Sequence, residues 1–163
     1  MASAHRELTV PCDTSYLIRV RTAVMEVVGE AGFPTAQANM VSLAVDEAVA
    51  NIMEHAYPRA EGRNCDDPGS LGQDIQIVLE ADAARFEVRI RDRGVGFDPR
   101  GAADVDLNAH LRSGSKGGLG IFLMRRVMDE INYSFKQGIQ NELQMIKYVD
   151  GARGAHKSSS CRA

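Results

Sequence analysis

The sequence predicts a two-layer α/β sandwich, a mixed, mostly antiparallel sheet with helices on one face. Three observations predict it. Residues 75–80 and 85–91 alternate apolar and polar side chains, the pattern of strands with one buried and one wet face. Residues 14–57 carry two apolar stripes at helical spacing. The segments also follow one another in the order βααββαββ, with no internal repeat and no domain boundary. The 163 residues read as one domain over 1–149, long enough to enclose a core without disulfides, followed by a small polar tail over 150–163 that is expected to be disordered.

Taken in order, Glu7 to Val10 alternates as a short strand does, and Asp13-Thr14-Ser15 offers an N-cap. Behind the cap, Leu17, Val20, Val24, Val27 and Ala31 recur at helical spacing until Gly32-Phe33-Pro34 ends the helix. A second helix is expected from about Thr35 to Tyr57, closed by Pro58 and burying Val41, Val45, Ala48 and Ile52. At about 100° per residue, Glu47, Asn51 and His55 line one border of that stripe, between core and solvent. Residues 59–72 have loop chemistry throughout. Ile75, Ile77 and Leu79, then Phe86, Val88 and Ile90, form two strands joined through residues 81–84, with Arg85, Glu87, Arg89 and Arg91 on the wet face. Residues 92–117 form a long, Gly-rich connection, a length that in a compact domain usually serves a function. A helix is expected from about Gly118 to Glu130, then strands near residues 132–136 and 142–149.

Composition excludes several classes. The net charge is −3, so no basic excess exists to track a phosphate backbone, and nucleic acid is not an expected partner. No apolar run approaches the roughly 20 residues that cross a bilayer, and Met1 to Val10 is too polar for a secretory signal. Neither a membrane nor export is expected. Cys12, Cys65 and Cys161 are odd in number and far apart, which suits a reducing cytoplasm and forms no zinc-type cluster. No Gly-x-Ser-x-Gly elbow, His-Arg-Asp or Asp-Phe-Gly motif occurs, so a eukaryotic-type protein kinase is excluded.

Three constellations carry chemistry. Glu47 and Asn51 stand four residues apart and share a helix face. A carboxylate can take a proton from an attacking hydroxyl, and an amide oxygen is a good ligand for magnesium. Alone, such a pair is more often two polar groups on a solvated edge. Asp92-Arg93-Gly94-Val95-Gly96 closes the clearest strand: the glycines permit close approach of a flat ligand, and the aspartate can accept from an exocyclic amine such as that of adenine. The bland alternative is a tight turn. Ser113 to Gly120 (SGSKGGLG) opens a helix whose free N–H groups suit phosphate, with Lys116 adding charge. It is neither a P-loop nor a dinucleotide fingerprint.

Their order is specific. The blocks LAVDEAVANIMEHAY (Leu43–Tyr57), DRGVGFDP (Asp92–Pro99) and GGLGIFLMRRVMDEI (Gly117–Ile131), with NELQMIKY (Asn141–Tyr148) as a closing strand, resemble the GHKL superfamily of histidine-kinase-like ATPases. Within it they are most similar to the bacterial anti-sigma-factor serine/threonine kinases. The resemblance implies the GHKL type of α/β sandwich and a cytoplasmic kinase that uses ATP and Mg2+. Such a kinase phosphorylates a serine on a small anti-anti-sigma antagonist and regulates a sigma factor by partner switching, as a homodimer. Carried over by position, Glu47 is the general base and Asn51 the magnesium ligand. Asp92 reads the adenine amine, and Gly94 and Gly96 line its pocket. Ser115, Lys116 and Gly117 belong to an ATP lid over residues 98–117, and Gly118, Leu119 and Gly120 meet the phosphates. Histidine kinases usually carry Asn where Glu47 stands, which favours a serine kinase. Two rivals stay open: a nucleotide-dependent binding switch with little turnover, and a detached histidine-kinase-like ATPase module.

Overall fold

The computed structural model describes residues 3–55, 74–95, 119–136 and 139–149. Strand β1 (Ala4–Pro11) leads through a 3-10 turn (Thr14–Tyr16) into α1 (Leu17–Glu30) and α2 (Thr35–His55). Strands β2 (Asp74–Ala81) and β3 (Arg85–Asp92), helix α3 (Leu119–Val127) and strands β4 (Glu130–Lys136) and β5 (Gln140–Tyr148) complete the order. The five strands lie in the order β1-β2-β3-β5-β4, and every pairing is antiparallel. Among the described residues the sheet is thus wholly antiparallel rather than mixed. The lid segment over 98–117, the loop over 59–72 and the tail over 150–163 lie outside the described residues.

Local chemistry explains the boundaries. The Asp13 carboxylate accepts from Ser15 N at 2.8 Å and caps the 3-10 turn, as its position predicts. Helix α1 ends in a Schellman pair: Phe33 N donates to Val28 O at 3.0 Å and Gly32 N to Gly29 O at 3.0 Å, with Gly32 at φ 80°. The β2–β3 turn is held by Asp82, whose Oδ1 accepts from Ala84 N at 2.7 Å and Arg85 N at 2.9 Å.

Helix α3 is shorter than its sequence predicts. It ends at Val127 rather than near Glu130, and Glu130 already belongs to β4. The cause is Asp129. Its N–H donates to Ile146 O at 2.8 Å, and its carboxylate accepts from Tyr148 N at 2.8 Å and pairs with Lys147 at 3.3 Å. These long-range bonds pull the chain into the sheet before another helical turn can form.

The core lies between the sheet and the helices. Leu8, Val10, Ile75, Ile77, Leu79, Phe86, Val88, Ile90, Leu143 and Met145 project from alternate strand positions onto Val20, Val24, Val27, Val41, Val45 and Ala48. The opposite face is polar, though less wet than alternation implies. Glu87 is only 4% exposed there, because Arg89 at 2.8 Å, Gln144 at 2.7 Å and Arg85 at 3.3 Å enclose it. Burial pushes its carboxyl up, and the bonds and charges of these neighbours outweigh that, leaving it below the ordinary glutamate range.

Candidate functional site

Two groups of polar side chains stand on the helix side of the sheet. The first is at the end of β3. Asp92 continues the inward phase of Phe86, Val88 and Ile90 and is 5% exposed. A carboxylate so placed needs partners. Its Oδ1 accepts from Gly94 N at 2.8 Å and from Asn141 Nδ2 at 2.9 Å, and the same Nδ2 donates to Gly94 O at 3.0 Å. Asp92 and Asn141 are register partners across β3 and β5. The turn, the carboxylate and the neighbouring strand therefore form one rigid unit. Among the described residues, Oδ2 takes no hydrogen bond, so the carboxylate keeps an acceptor for an amine on a ligand.

Asn141 carries no role in the sequence reading. Its signal was nevertheless present: an asparagine in the inward phase of Leu143 and Met145, where an apolar side chain is the norm. Gly96 lies outside the described residues.

The second group is on α2. Glu47 sits at the edge of the buried stripe, half-buried, as its phase predicts. The first turn of α3 packs against it so closely that a Cβ on Gly120 would lie 2.1 Å from Glu47 Oε2. Only glycine permits this approach. Burial first, then the charges of Asp46 and Glu54, raise the Glu47 carboxyl above its ordinary pKa. Asp46 is itself buried and paired with Arg21 of α1, a contact the sequence does not announce. One turn beyond Glu47, the Nδ2 of Asn51 is buried and has no partner among the described residues. His55 is exposed at the helix end beside Glu54. Ser115, Lys116, Gly117 and Gly118 lie outside the described residues, whereas Leu119 and Gly120 open α3.

This arrangement suits a nucleotide with a hard cation. The unmet Nδ2 is a donor, so the group that completes it is an acceptor such as a phosphate oxygen, and a cation could meet the same amide only through Oδ1. Among the described residues no group of three or more His, Cys, Asp or Glu could hold a metal alone. A cation at Asn51 would thus take most of its shell from phosphate and water, the habit of magnesium.

Comparison with known proteins places the chain in a family. Residues 10–147 match the model of the histidine kinase-like ATPase domain, and the chain belongs to that family within the GHKL superfamily. It is similar to the serine-protein kinase RsbW of Bacillus cereus, 27% identical over 147 residues, covering 88% of this chain and 84% of that one. The RsbW of Bacillus velezensis is 28% identical over 155 residues, covering 92% and 89%. In solved structures, the fold matches a chain of the SiaB–SiaC complex of Pseudomonas aeruginosa. That match has a TM-score of 0.61 at 16% identity and covers 87% of this chain and 88% of that one. It also matches a structure of the RsbU and RsbW domains of a Mycobacterium tuberculosis protein, with TM-score 0.55 at 16% identity, covering 90% and 32%. Membership in an ATPase family implies use of ATP. Among the described residues no helix is long and apolar enough to cross a membrane.

Proposed function

We propose that the chain is a cytoplasmic serine kinase of the anti-sigma type, which moves the γ-phosphoryl group of ATP to a serine on a small anti-anti-sigma protein. The observation that carries the reading is Glu47: a carboxylate of raised proton affinity, one helical turn from a buried amide nitrogen that has no partner among the described residues, and touched by the first turn of a helix. The RsbW relatives, named serine-protein kinases, support it.

In this reading Asp92 accepts the adenine amine, Asn141 holds Asp92 in place, and Gly94 and Gly96 let the flat base approach. Lys116, Ser115 and the glycines 117, 118 and 120, with Leu119, meet the phosphates. Asn51 would hold magnesium, which would supply charge neutralisation at the phosphates. Glu47 accepts the proton of the serine Oγ as the Oγ–phosphorus bond forms and the bond from phosphorus to the leaving oxygen of ADP breaks. A loose transition state asks little covalent work of the protein, so positioning and charge dominate.

The test is incubation of the purified chain with γ-labelled ATP, magnesium and a lysate of its own organism, followed by phosphoserine analysis. A labelled small protein bearing phosphoserine is the expected result. Label on no protein, with ATP instead altering only the binding of a partner, overturns the kinase reading in favour of a binding switch. Asn51→Ala should flatten the magnesium dependence of nucleotide affinity in calorimetry; an unchanged dependence removes Asn51 from the metal site.

A further inference from the structure

Met40, Leu43, Glu47, Asn51 and Glu54 recur along α2 at intervals of three or four residues and lie within about 80° of one another around its axis. They form one line. Its C-terminal part holds the proposed base and metal ligand. Its N-terminal part is apolar and open: Met40 is 43% exposed and Leu43 42%. Single exposed apolar side chains are ordinary. These two differ because they occupy successive turns of one helix, in line with a carboxylate of raised proton affinity. Gly120 packs against the Glu47 carboxylate, and in the kinase reading the phosphates lie toward Asn51. Among the described residues, the side left open for a protein hydroxyl runs over Leu43 and Met40.

We propose that Met40 and Leu43 dock the protein that carries the acceptor serine. The helical rise sets the spacing. At about 1.5 Å per residue, Leu43 is about 6 Å and Met40 about 10 Å along the axis from Glu47. An extended segment advances about 3.3 Å per residue. The acceptor therefore presents an apolar side chain about two residues from its serine, which an extended segment turns to the serine's own face and against Leu43, with Met40 continuing the apolar contact beyond it. The occupant is a serine segment flanked by apolar residues on a folded partner, not a charged peptide. The inference rests on the kinase reading.

The probe is the acceptor protein found by γ-labelling, purified and titrated in single-turnover transfer against Leu43→Gln and Met40→Gln. Glutamine keeps helix propensity, and Leu43→Met keeps the apolar surface. Each glutamine variant should raise the half-saturating acceptor concentration about tenfold, consistent with loss of a buried apolar contact. Transfer at saturation and ATP affinity should stay at wild-type values, and Leu43→Met should restore docking. Wild-type half-saturation in both glutamine variants overturns the proposal while the kinase reading stands. Dissociation of a wild-type dimer by Leu43→Gln in sedimentation velocity, with acceptor docking unchanged, assigns the face to a second copy and overturns it as well. Absence of any transfer by the wild-type chain brings down the kinase reading, and the docking proposal with it.

Discussion

The two ends of the candidate site are built on opposite plans. At the end of β3, Asp92 Oδ1, Asn141 Nδ2 and the backbone of Gly94 bond one another, and among the described residues Asp92 Oδ2 is left as an acceptor. On α2, Glu47 carries a proton affinity raised by burial and by two neighbouring carboxylates, and the buried Asn51 Nδ2 has no partner among the described residues. The first end is complete without a ligand. The second is left unmet. A finished network selects by shape and by one hydrogen bond, whereas unmet groups hold free energy that a ligand releases as it arrives. The contrast fits recognition at one end and chemistry at the other.

The most severe way to break this contrast is Glu47→Gln. If Glu47 serves chemistry, phosphoryl transfer falls about 10²- to 10⁴-fold while ATP affinity holds, because a loose transition state needs only modest help from a base. Equal losses of rate and affinity in single-turnover and calorimetric measurements would move Glu47 to the nucleotide site. Asp92→Asn attacks the other end. It keeps the shape but replaces a charge-assisted bond, costing about 1.5–3 kcal/mol of adenine-nucleotide affinity. Equal calorimetric affinities for ATP and GTP in the wild-type chain would remove the recognition role.

Gly120→Ala tests the seam between helix and base. The new Cβ meets Glu47 Oε2 and displaces it. Transfer should drop about tenfold, in keeping with the sensitivity of catalysis to small misplacements. The melting temperature should not fall, since alanine favours helix over glycine by about 1 kcal/mol.

The smallest expected effect is on stability against pH, and it has opposite signs at two glutamates. Glu47 has a raised folded pKa, so the folded chain keeps a proton that the unfolded chain has lost. Its stability contribution is full at low pH and is lost as pH rises through the folded value. Glu47→Gln should therefore melt above wild type at pH 7, and the gap should close on acidification. Glu87 has a lowered folded pKa. It stabilises above the ordinary glutamate range, and that contribution disappears as pH falls through its folded value. Glu87→Gln should melt below wild type at pH 7, with a gap that also narrows on acidification. Thermal melts across pH check both, and two gaps of the same sign would contradict the assigned environments.

What was legible in the sequence is what local spacing encodes. The stripe of Val41, Val45, Ala48 and Ile52 located α2 and put Glu47 and Asn51 on its border, where the structure has them. The alternation through Phe86, Val88 and Ile90 fixed β3 and led to Asp92 at its end. Features made by distant residues were not legible. The early stop of α3 depends on Asp129 meeting Tyr148, and the low exposure of Glu87 on Gln144 of β5. Asn141 gained a role only when pairing set it beside Asp92. The Arg21–Asp46 pair is likewise invisible until α1 and α2 pack.

The bond from Asn141 to Asp92 joins residues 49 apart in the chain. The polypeptide leaves the sheet at Asp92, returns to it in β4 at the far edge, and reaches Asp92 again only in β5, so the pairing of β3 with β5 holds the acceptor. Loop-closure entropy grows only slowly with length, by about 0.6 kcal/mol per doubling. A change in length between β3 and α3 therefore costs little and leaves the ligand acceptor where strand pairing holds it. The fold behaves as a socket with an exchangeable insert: a fixed reader on which many different covers can be tried.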